Sequence, residues 1–282
     1  MYISQGHEPR AFGVRHPREL YPPHASLICQ KLDGETPFIT LYFPVWEGGN
    51  GIWGHENPHA SVAVCLSEKH WFISLHFHER QISRLYRVAH DRIFTVETGK
   101  ALLVAWLHIR FEENGHVRSL NILFNSHIFA RVKRLVWVWR FFYTNPSLAK
   151  EIGRLAPEKG PDIEMLPNEK IIAHFPLAPV FKKKKRGSEV LAHKSLLQVT
   201  SDGFLLFSVQ ESAADVGQLT FAEAFHAWPL QNEKAPLRIL PSPTGWVLTM
   251  DRQQQRVVEW PLFYEQMDEA TVKRLQEILK AF

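Results

Sequence analysis

LSEKHWFISL, residues 66–75, is matched in the second half of the chain by VTSDGFLLFS, residues 199–208. In both segments an apolar residue precedes a Ser or Thr and a polar turn, and an aromatic residue then opens an apolar run. Each copy leads through further strand-like segments to one closing helix, predicted to begin near Ser126 in the first half and near Asp268 in the second. The repetition predicts two β-rich modules in tandem.

Short runs rich in Val, Ile, Leu and aromatic residues predict the strands of both modules. In the first module they are residues 25–31, 38–44, 61–66, 71–76, 84–89, 92–97, 102–111 and 117–124. In the second they are residues 171–181, 189–199, 204–209, 224–230, 237–240, 246–251 and 257–261. So many antiparallel strands favour a small barrel or sandwich in each module. A propeller, the other all-β alternative, needs a period of ~40 residues, which is missing.

The boundary between the modules is marked by helix and strand breakers. Pro and Gly are dense between residues 144 and 168, which predicts a linker, with a short helix near residues 147–155 as an interruption. The first module is therefore predicted to span residues 1–143 and the second residues 169–282. A chain of 282 residues with 45% hydrophobic content can fill two separate cores.

Charge and cysteine content narrow the function classes. The net charge of +4 lies in residues 1–143, while residues 144–282 are balanced, and this excess is too small to indicate a nucleic-acid binder. The two cysteines, Cys29 and Cys65, cannot form a disulfide framework and fit buried thiols. Neither a secretory signal nor a membrane-spanning run is present, which predicts a cytoplasmic protein.

The helix predicted near residue 126 has two unlike faces. Placed every 100° around the axis, its apolar residues form one continuous arc suited to packing on the strands: Ile128, Phe129, Val132, Leu135, Val136, Trp139, Phe142 and Tyr143. The opposite face mixes cations with aromatic rings: Arg131, Lys133, Arg134, Trp137, Arg140 and Phe141. The last helix, by contrast, has a mixed-charge outer face and is interpreted as structural only.

Aromatic rings exposed to water among cations are unfavourable, and exposed apolar patches of this kind mark interaction sites. We therefore expect another surface to cover Trp137 and Phe141. Four covers fit: the second module or linker, a second copy of the chain, an unrelated protein, or an anionic membrane interface. The sequence therefore predicts a partner-binding or self-association surface made of Arg131, Arg134, Trp137, Arg140 and Phe141. Packing against the linker or the second module is the simplest alternative.

The arrangement of about seven short strands closed by one C-terminal amphipathic helix, with the repeated Ser/Thr-turn-aromatic phrase, resembles the bacterial pleckstrin-homology-like (PH-like) domains, here in tandem. The resemblance implies two partly open barrels of antiparallel strands, each closed by a helix, and a role in binding and scaffolding. Trp139 is similar to the helix tryptophan of many pleckstrin-homology domains. The last helix has no such tryptophan.

The longest run of positive charge is KKKKR, directly after the first predicted strand of the second module. It consists of Lys182, Lys183, Lys184, Lys185 and Arg186. In the resembling family, phosphoinositide-binding members place basic residues in the loop between their first two strands, which implies an anionic ligand here. At about 1 kcal/mol per basic residue, the run gives a weak, salt-sensitive tether to an anionic membrane. A solvated loop without a target and a protein or nucleic-acid partner are the alternatives.

Histidines are concentrated between residues 55 and 90. His76 and His78 alternate along a predicted strand and therefore share one face, a spacing that a metal site on a sheet can use. His55 and His59 have helical spacing, but Pro58 argues against a helix. This group supports an alternative function, a metal-dependent or small-ligand enzyme with its site near residues 55–90.

Catalytic motifs do not support an enzyme. The sequence contains no GxSxG elbow, phosphate-binding loop, HExxH or CxxC motif. The main prediction is a non-enzymatic binding or scaffold protein without a cofactor, engaging a protein partner or an anionic membrane surface. Peripheral association with a membrane is the alternative to a purely cytoplasmic location.

Overall fold

The computed structural model describes residues 11–46, 60–101, 103–144, 165–166, 169–183, 188–192, 194–210, 222–229, 237–252 and 255–280. The chain is mainly β and divides into two compact units, Met1–Pro167 and Asn168–Phe282. The described strands form several antiparallel sheets, and no closed barrel is found among them.

The first unit contains, in chain order, β1 (Phe12–Val14), α1 (Pro22–Lys31), β2 (Pro37–Phe43), β3 (Ser61–Ser67), β4 (His70–Phe77), β5 (Ile82–Ala89), β6 (Ile93–Ala101), β7 (Val104–Glu113), β8 (His116–Asn125) and α2 (Phe129–Thr144). Strands β1 to β5 pair in chain order as one antiparallel sheet. Strands β6 to β8 pair as a second antiparallel meander. The two sets of strands are followed by one closing helix.

The second unit contains β9 (Ile171–Leu177), β10 (Val180–Lys183), β11 (Ser188–Ala192), β12 (Lys194–Thr200), β13 (Gly203–Gln210), β14 (Ala222–Pro229), β15 (Leu237–Ser242), β16 (Gly245–Arg252), β17 (Gln255–Phe263) and α3 (Glu269–Lys280). Strands β9, β12, β13 and β14 pair in that order, all antiparallel. Strands β10 and β11 form a separate hairpin between β9 and β12. Strands β15 to β17 form a three-stranded meander before α3.

The same order of elements therefore occurs in both units. Strands β2 to β5 correspond to β9, β12, β13 and β14, and β6 to β8 correspond to β15 to β17. A helix follows the last strand in each case. Beyond these shared elements, the described residues add β1 and α1 to the first unit and the β10–β11 hairpin to the second.

The repeated phrase forms the same turn in both units. Between β3 and β4, the Oγ atom of Ser67 accepts hydrogen bonds from the backbone N–H groups of Lys69 (3.4 Å) and His70 (3.0 Å). The Ser67 hydroxyl donates to the carboxylate of Glu35. Because Ser67 is fully buried, this hydroxyl stabilises a turn whose amides would otherwise lose their partners.

Between β12 and β13, Thr200 takes the place of Ser67. Its Oγ1 atom accepts hydrogen bonds from the backbone N–H groups of Asp202 (3.3 Å) and Gly203 (2.9 Å) and donates to Oε1 of Glu169 at 2.5 Å. Thr200 is also fully buried. The turn hydroxyl, the two backbone N–H groups that donate to it and the carboxylate that accepts from it therefore recur in the second unit.

The strand register beside this turn is also the same in both units. Glu35 lies two residues before Pro37, which pairs with Ser67, and Glu169 lies two residues before Ile171, which pairs with Thr200. In both pairs the register shifts immediately after this first contact. A one-residue shift of this kind bends the strand locally and positions the carboxylate under the turn.

One predicted strand is wrong. Residues 25–31 belong to α1, which begins at Pro22 and Pro23 and buries His24 and Ile28. Proline at the first helical positions lacks only an N–H that would be unpaired anyway, and its fixed φ favours the helix. The predicted strands at 171–181 and 189–199 each divide in two, the first at Ala178 and Pro179.

The closing helix of the first unit packs on the repeated segment. The Trp139 ring is fully buried and meets the Trp71 ring of β4 edge-to-face, with a centroid distance of 6.1 Å. Asn125 accepts the His127 N–H before α2 begins. At α3, the Asp268 carboxylate accepts the Thr271 N–H at 2.7 Å. These helix starts lie within three residues of the predicted positions.

The twin turns predict matched effects of mutation. Ser67→Ala and Thr200→Ala should each lower the free energy of unfolding by about 1–3 kcal/mol, because buried amides and a carboxylate lose a partner. Ser67→Thr and Thr200→Ser keep the hydroxyl and should lose less. Ser26→Ala, at an exposed position of α1, serves as the control. Denaturant unfolding with amide exchange across both turns measures this, and unchanged exchange in either alanine variant would contradict it.

Candidate functional site

Helix α2 does not present its basic and aromatic face freely to solvent. Trp137 (4% exposed), Arg140 (6%) and Phe141 (2%) are buried. The Trp137 indole N–H donates to the carbonyl oxygen of Met165 at 2.9 Å, and its ring stacks on Phe141 with centroids 5.6 Å apart. Leu166 beside this acceptor is buried as well. Among the covers considered from the sequence, these contacts favour the linker.

The two remaining members of the predicted partner surface differ from these three. Arg131 is exposed, and its guanidinium donates to the carbonyl oxygen of Gly13 at 3.1 Å, which ties β1 to α2. Arg134 is half-buried. The role of all five residues in binding a partner stays a prediction.

The KKKKR run begins on β10, the first strand of the β10–β11 hairpin. Lys182 and Lys183 occupy the exposed end of β10. Lys184, Lys185 and Arg186 lie outside the described residues. Glu189 is opposite Lys182 in the strand register, so the hairpin sequence carries five basic residues and one acidic residue.

The base of this hairpin is fixed to the second unit. Val180 is buried, and the Gln266 side-chain amide donates to the carbonyl oxygen of Ala178 at 2.8 Å. Leu177 at the end of β9 pairs directly with Ser195 of β12, so these strands adjoin without the hairpin. The hairpin therefore projects from a completed strand pair.

Among the hairpin side chains that the structure describes, two apolar ones face solvent. Phe181 of β10 is 54% exposed and Leu191 of β11 is 43% exposed. The register shift in the hairpin lies between Val180 and Phe181, and Leu191 is the residue passed over on the opposite strand. The hairpin surface is consequently both basic and apolar.

His76 and His78 lie together, as the alternating pattern predicts, with ring centroids 4.5 Å apart. A third imidazole, His24 of α1, meets His76 edge-to-face at 6.2 Å. Serine hydroxyls hold all three rings. Ser61 Oγ lies 3.0 Å from His24 Nε2 and 2.9 Å from His78 Nε2.

The remaining nitrogen of His24 contacts Ser74 Oγ at 2.9 Å, and His76 Nδ1 contacts Ser83 Oγ at 2.8 Å. Both ring nitrogens of His24 are therefore engaged with hydroxyl groups. Among the residues that the structure describes, no three His, Cys, Asp or Glu side chains converge as a metal site. His55 and His59 lie outside these residues, and the metal role of His76 and His78 stays a prediction.

The electrostatics of this cluster keep His24 neutral. Burial, followed by the nearby imidazoles of His76 and His78, lowers the pKa of His24 to about 3. Burial also lowers the pKa of His76. Sequence reasoning missed His24 because the segment after it was predicted to be a strand. The Pro-Pro pair before it was the available signal of a helix start.

A second buried polar cluster surrounds Glu35. Its carboxylate accepts hydrogen bonds from Ser67, from Arg87 at 2.7 Å and from His70 Nδ1 at 2.7 Å. Burial acts to raise the pKa of Glu35, but the hydrogen bonds from Ser67 and Arg87 and the charge of His70 lower it below its usual value. Because the Ser67–Glu35 contact has a counterpart in the second unit, we interpret it as structural.

The two cysteines, Cys29 and Cys65, also fit a structural rather than a catalytic role. Burial raises the pKa of Cys65 to about 12, and burial also raises the pKa of Cys29. A thiol with a raised pKa is a poor nucleophile near neutral pH. Both are free cysteines.

Comparison of the chain with protein-family models, with curated proteins and with solved structures gave no match. Within the described ranges, no helix combines the length and apolar content that crossing a membrane requires.

Buried neutral histidines predict an acid-sensitive fold. Burial lowers the pKa of His24 to about 3 and of His90 to about 4, both below the usual 6.5. Between the lowered pKa values and 6.5, these histidines bind more protons in the unfolded chain than in the folded one. Their contribution to the free energy of unfolding is therefore fully present above pH 6.5 and decreases as the pH falls towards 4. Each histidine should contribute a loss of about 1 kcal/mol per pH unit in this window.

The measurement is the unfolding free energy at several pH values within that window. His24→Gln should reduce the pH slope, whereas His116→Gln, at an exposed position, should leave it unchanged. Titration of the wild-type imidazoles by NMR provides a readout that does not require a variant. A His24 signal that titrates at its ordinary pKa would contradict the prediction.

Proposed function

We propose that this chain is a non-enzymatic binding and scaffold protein of two PH-like units, and that its second unit attaches to an anionic membrane surface through the β10–β11 hairpin. The shared order of elements supports this reading. Seven strands, β2 to β8 in the first unit and β9 with β12 to β17 in the second, are followed by one helix in each unit, the arrangement that the PH-like resemblance implies.

The position of the hairpin supports the choice of surface. It connects β9 to β12, the first two strands of the second unit's meander. In the resembling family, phosphoinositide-binding members carry their basic residues at this connection. The buried aromatic and basic face of α2 is less suited to an incoming partner, because Trp137 and Phe141 are already covered.

The observation that carries the proposal is the exposure of Lys182 and Lys183 on a fixed hairpin whose sequence continues into three further cations. Each basic residue near an anionic membrane contributes about 1 kcal/mol, reduced by salt. Five cations opposed by Glu189 therefore give a moderate, reversible attachment. No contact among the described residues specifically favours the alternative of a metal-dependent or small-ligand enzyme.

Vesicle co-sedimentation tests the proposal. The wild-type chain should pellet with vesicles of phosphatidylcholine and phosphatidylserine and remain in solution with phosphatidylcholine alone. Lys182→Gln with Lys183→Gln should weaken binding roughly tenfold or more, because two cations leave the contact.

The matched control removes two exposed lysines of α3 by Lys273→Gln with Lys280→Gln. This double variant loses the same net charge from the same unit and should retain most of the binding. Equal pelleting with both vesicle types, or equal losses in the two double variants, would argue against the hairpin. Binding to a protein or to nucleic acid without binding to vesicles would also overturn the proposal.

A further inference from the structure

The exposed apolar residues of the hairpin are not explained by charge attraction alone. A solvated basic loop needs only polar side chains, yet β10 exposes Phe181 and β11 exposes Leu191. Both are outside the core, whereas Val180 next to Phe181 is buried. Apolar surface left in water disfavours the free state, and covering it stabilises a complex in proportion to the area removed from water.

The pleat of β10 determines which residues share a face. Side chains alternate along a strand, so Val180 and Lys182 lie on one face and Phe181 and Lys183 on the other. Val180 is buried, so the second face points away from the core. Phe181 and Lys183 are about 7 Å apart on it, two residues along the strand. An apolar ring beside a cation matches the boundary between lipid headgroups and acyl chains.

We infer that the β10–β11 hairpin lies along the membrane surface rather than end-on, with Phe181 and Leu191 entering the boundary between headgroups and acyl chains. The inference rests on the proposed function and adds a component of binding that salt does not screen. Lys182 and Lys183 remain at the level of the phosphates, because their long stems allow the ammonium groups to reach water. A hairpin that entered end-on would instead carry Lys183, which lies beyond Phe181 on β10, into the acyl chains first.

The fixed base makes this docking efficient. Val180 is buried, and Gln266 of the second unit holds the Ala178 carbonyl, so the start of the hairpin is ordered before contact. A binding element that is already ordered loses less conformational entropy on association. The apolar contribution of only two partly exposed side chains can then appear in the measured affinity.

The first test separates the apolar and electrostatic components. Binding to vesicles containing phosphatidylserine is measured at about 0.1 M and about 1 M salt, where the screening length falls from about 10 Å to about 3 Å. Wild-type protein should retain residual binding at high salt. Phe181→Ser with Leu191→Ser should weaken this residual binding roughly tenfold, while Ile82→Ser with Leu103→Ser, exposed apolar residues of the first unit, should not.

The second test reports the depth of residue 181 directly. Phe181→Trp keeps an aromatic ring, and phosphatidylcholine brominated on its acyl chains, mixed with phosphatidylserine, quenches a tryptophan that reaches them. The variant should show quenching above the background of the nine native tryptophans, measured with the wild-type chain.

The outcomes distinguish the two proposals. Salt-resistant binding that depends on Phe181 and Leu191, together with added quenching, supports insertion. Complete release by salt without added quenching overturns insertion and leaves the electrostatic attachment intact. Failure of the wild-type chain to bind anionic vesicles at low salt overturns the proposed function and the insertion with it.

Discussion

The buried hydrogen bond between a turn hydroxyl and a carboxylate is the contact on which each unit depends. In the first unit Ser67 donates to Glu35, and in the second Thr200 donates to Glu169. The carboxylate stands before the first meander strand and the hydroxyl ends the second, so the bond fixes the start of their pairing. Because a strand slip of one residue would reverse its two faces, this contact also determines which side chains enter the core.

Much of this fold can be predicted from the sequence, because its strands are short, apolar and separated by polar turns. The second to eighth strands of the first unit and both closing helices fall close to their predicted positions. α1 could not be predicted from apolar content, since residues 25–31 mix apolar and polar side chains and the Pro-Pro pair alone indicates a helix. The carboxylate partners of the turns are also hidden in sequence, because more than thirty residues separate each donor from its acceptor.

The candidate sites likewise contain features that the sequence predicts and features that only the fold reveals. His76 and His78 lie together as their spacing predicts, although His78 stands in the turn directly after β4, whereas the contribution of His24 requires the tertiary packing of α1 on the sheet. The residue pattern of α2 predicts its two faces, but the acceptor that Met165 supplies for Trp137 lies 28 residues further along the chain and is not encoded in that pattern. The basic run is visible in sequence, whereas the exposure of Phe181 and Leu191 depends on the hairpin geometry.

Because β9 pairs directly with β12, the hairpin between them is not needed to hold these two strands together. In the first unit the corresponding connection, residues 44–60, has a Gly-rich sequence without a basic run. One framework therefore carries two connectors of different chemistry at equivalent positions. Such a connector can diverge in sequence, or be exchanged by grafting, while the underlying sheet keeps its register, so a repeated domain gains new binding preferences at little structural cost.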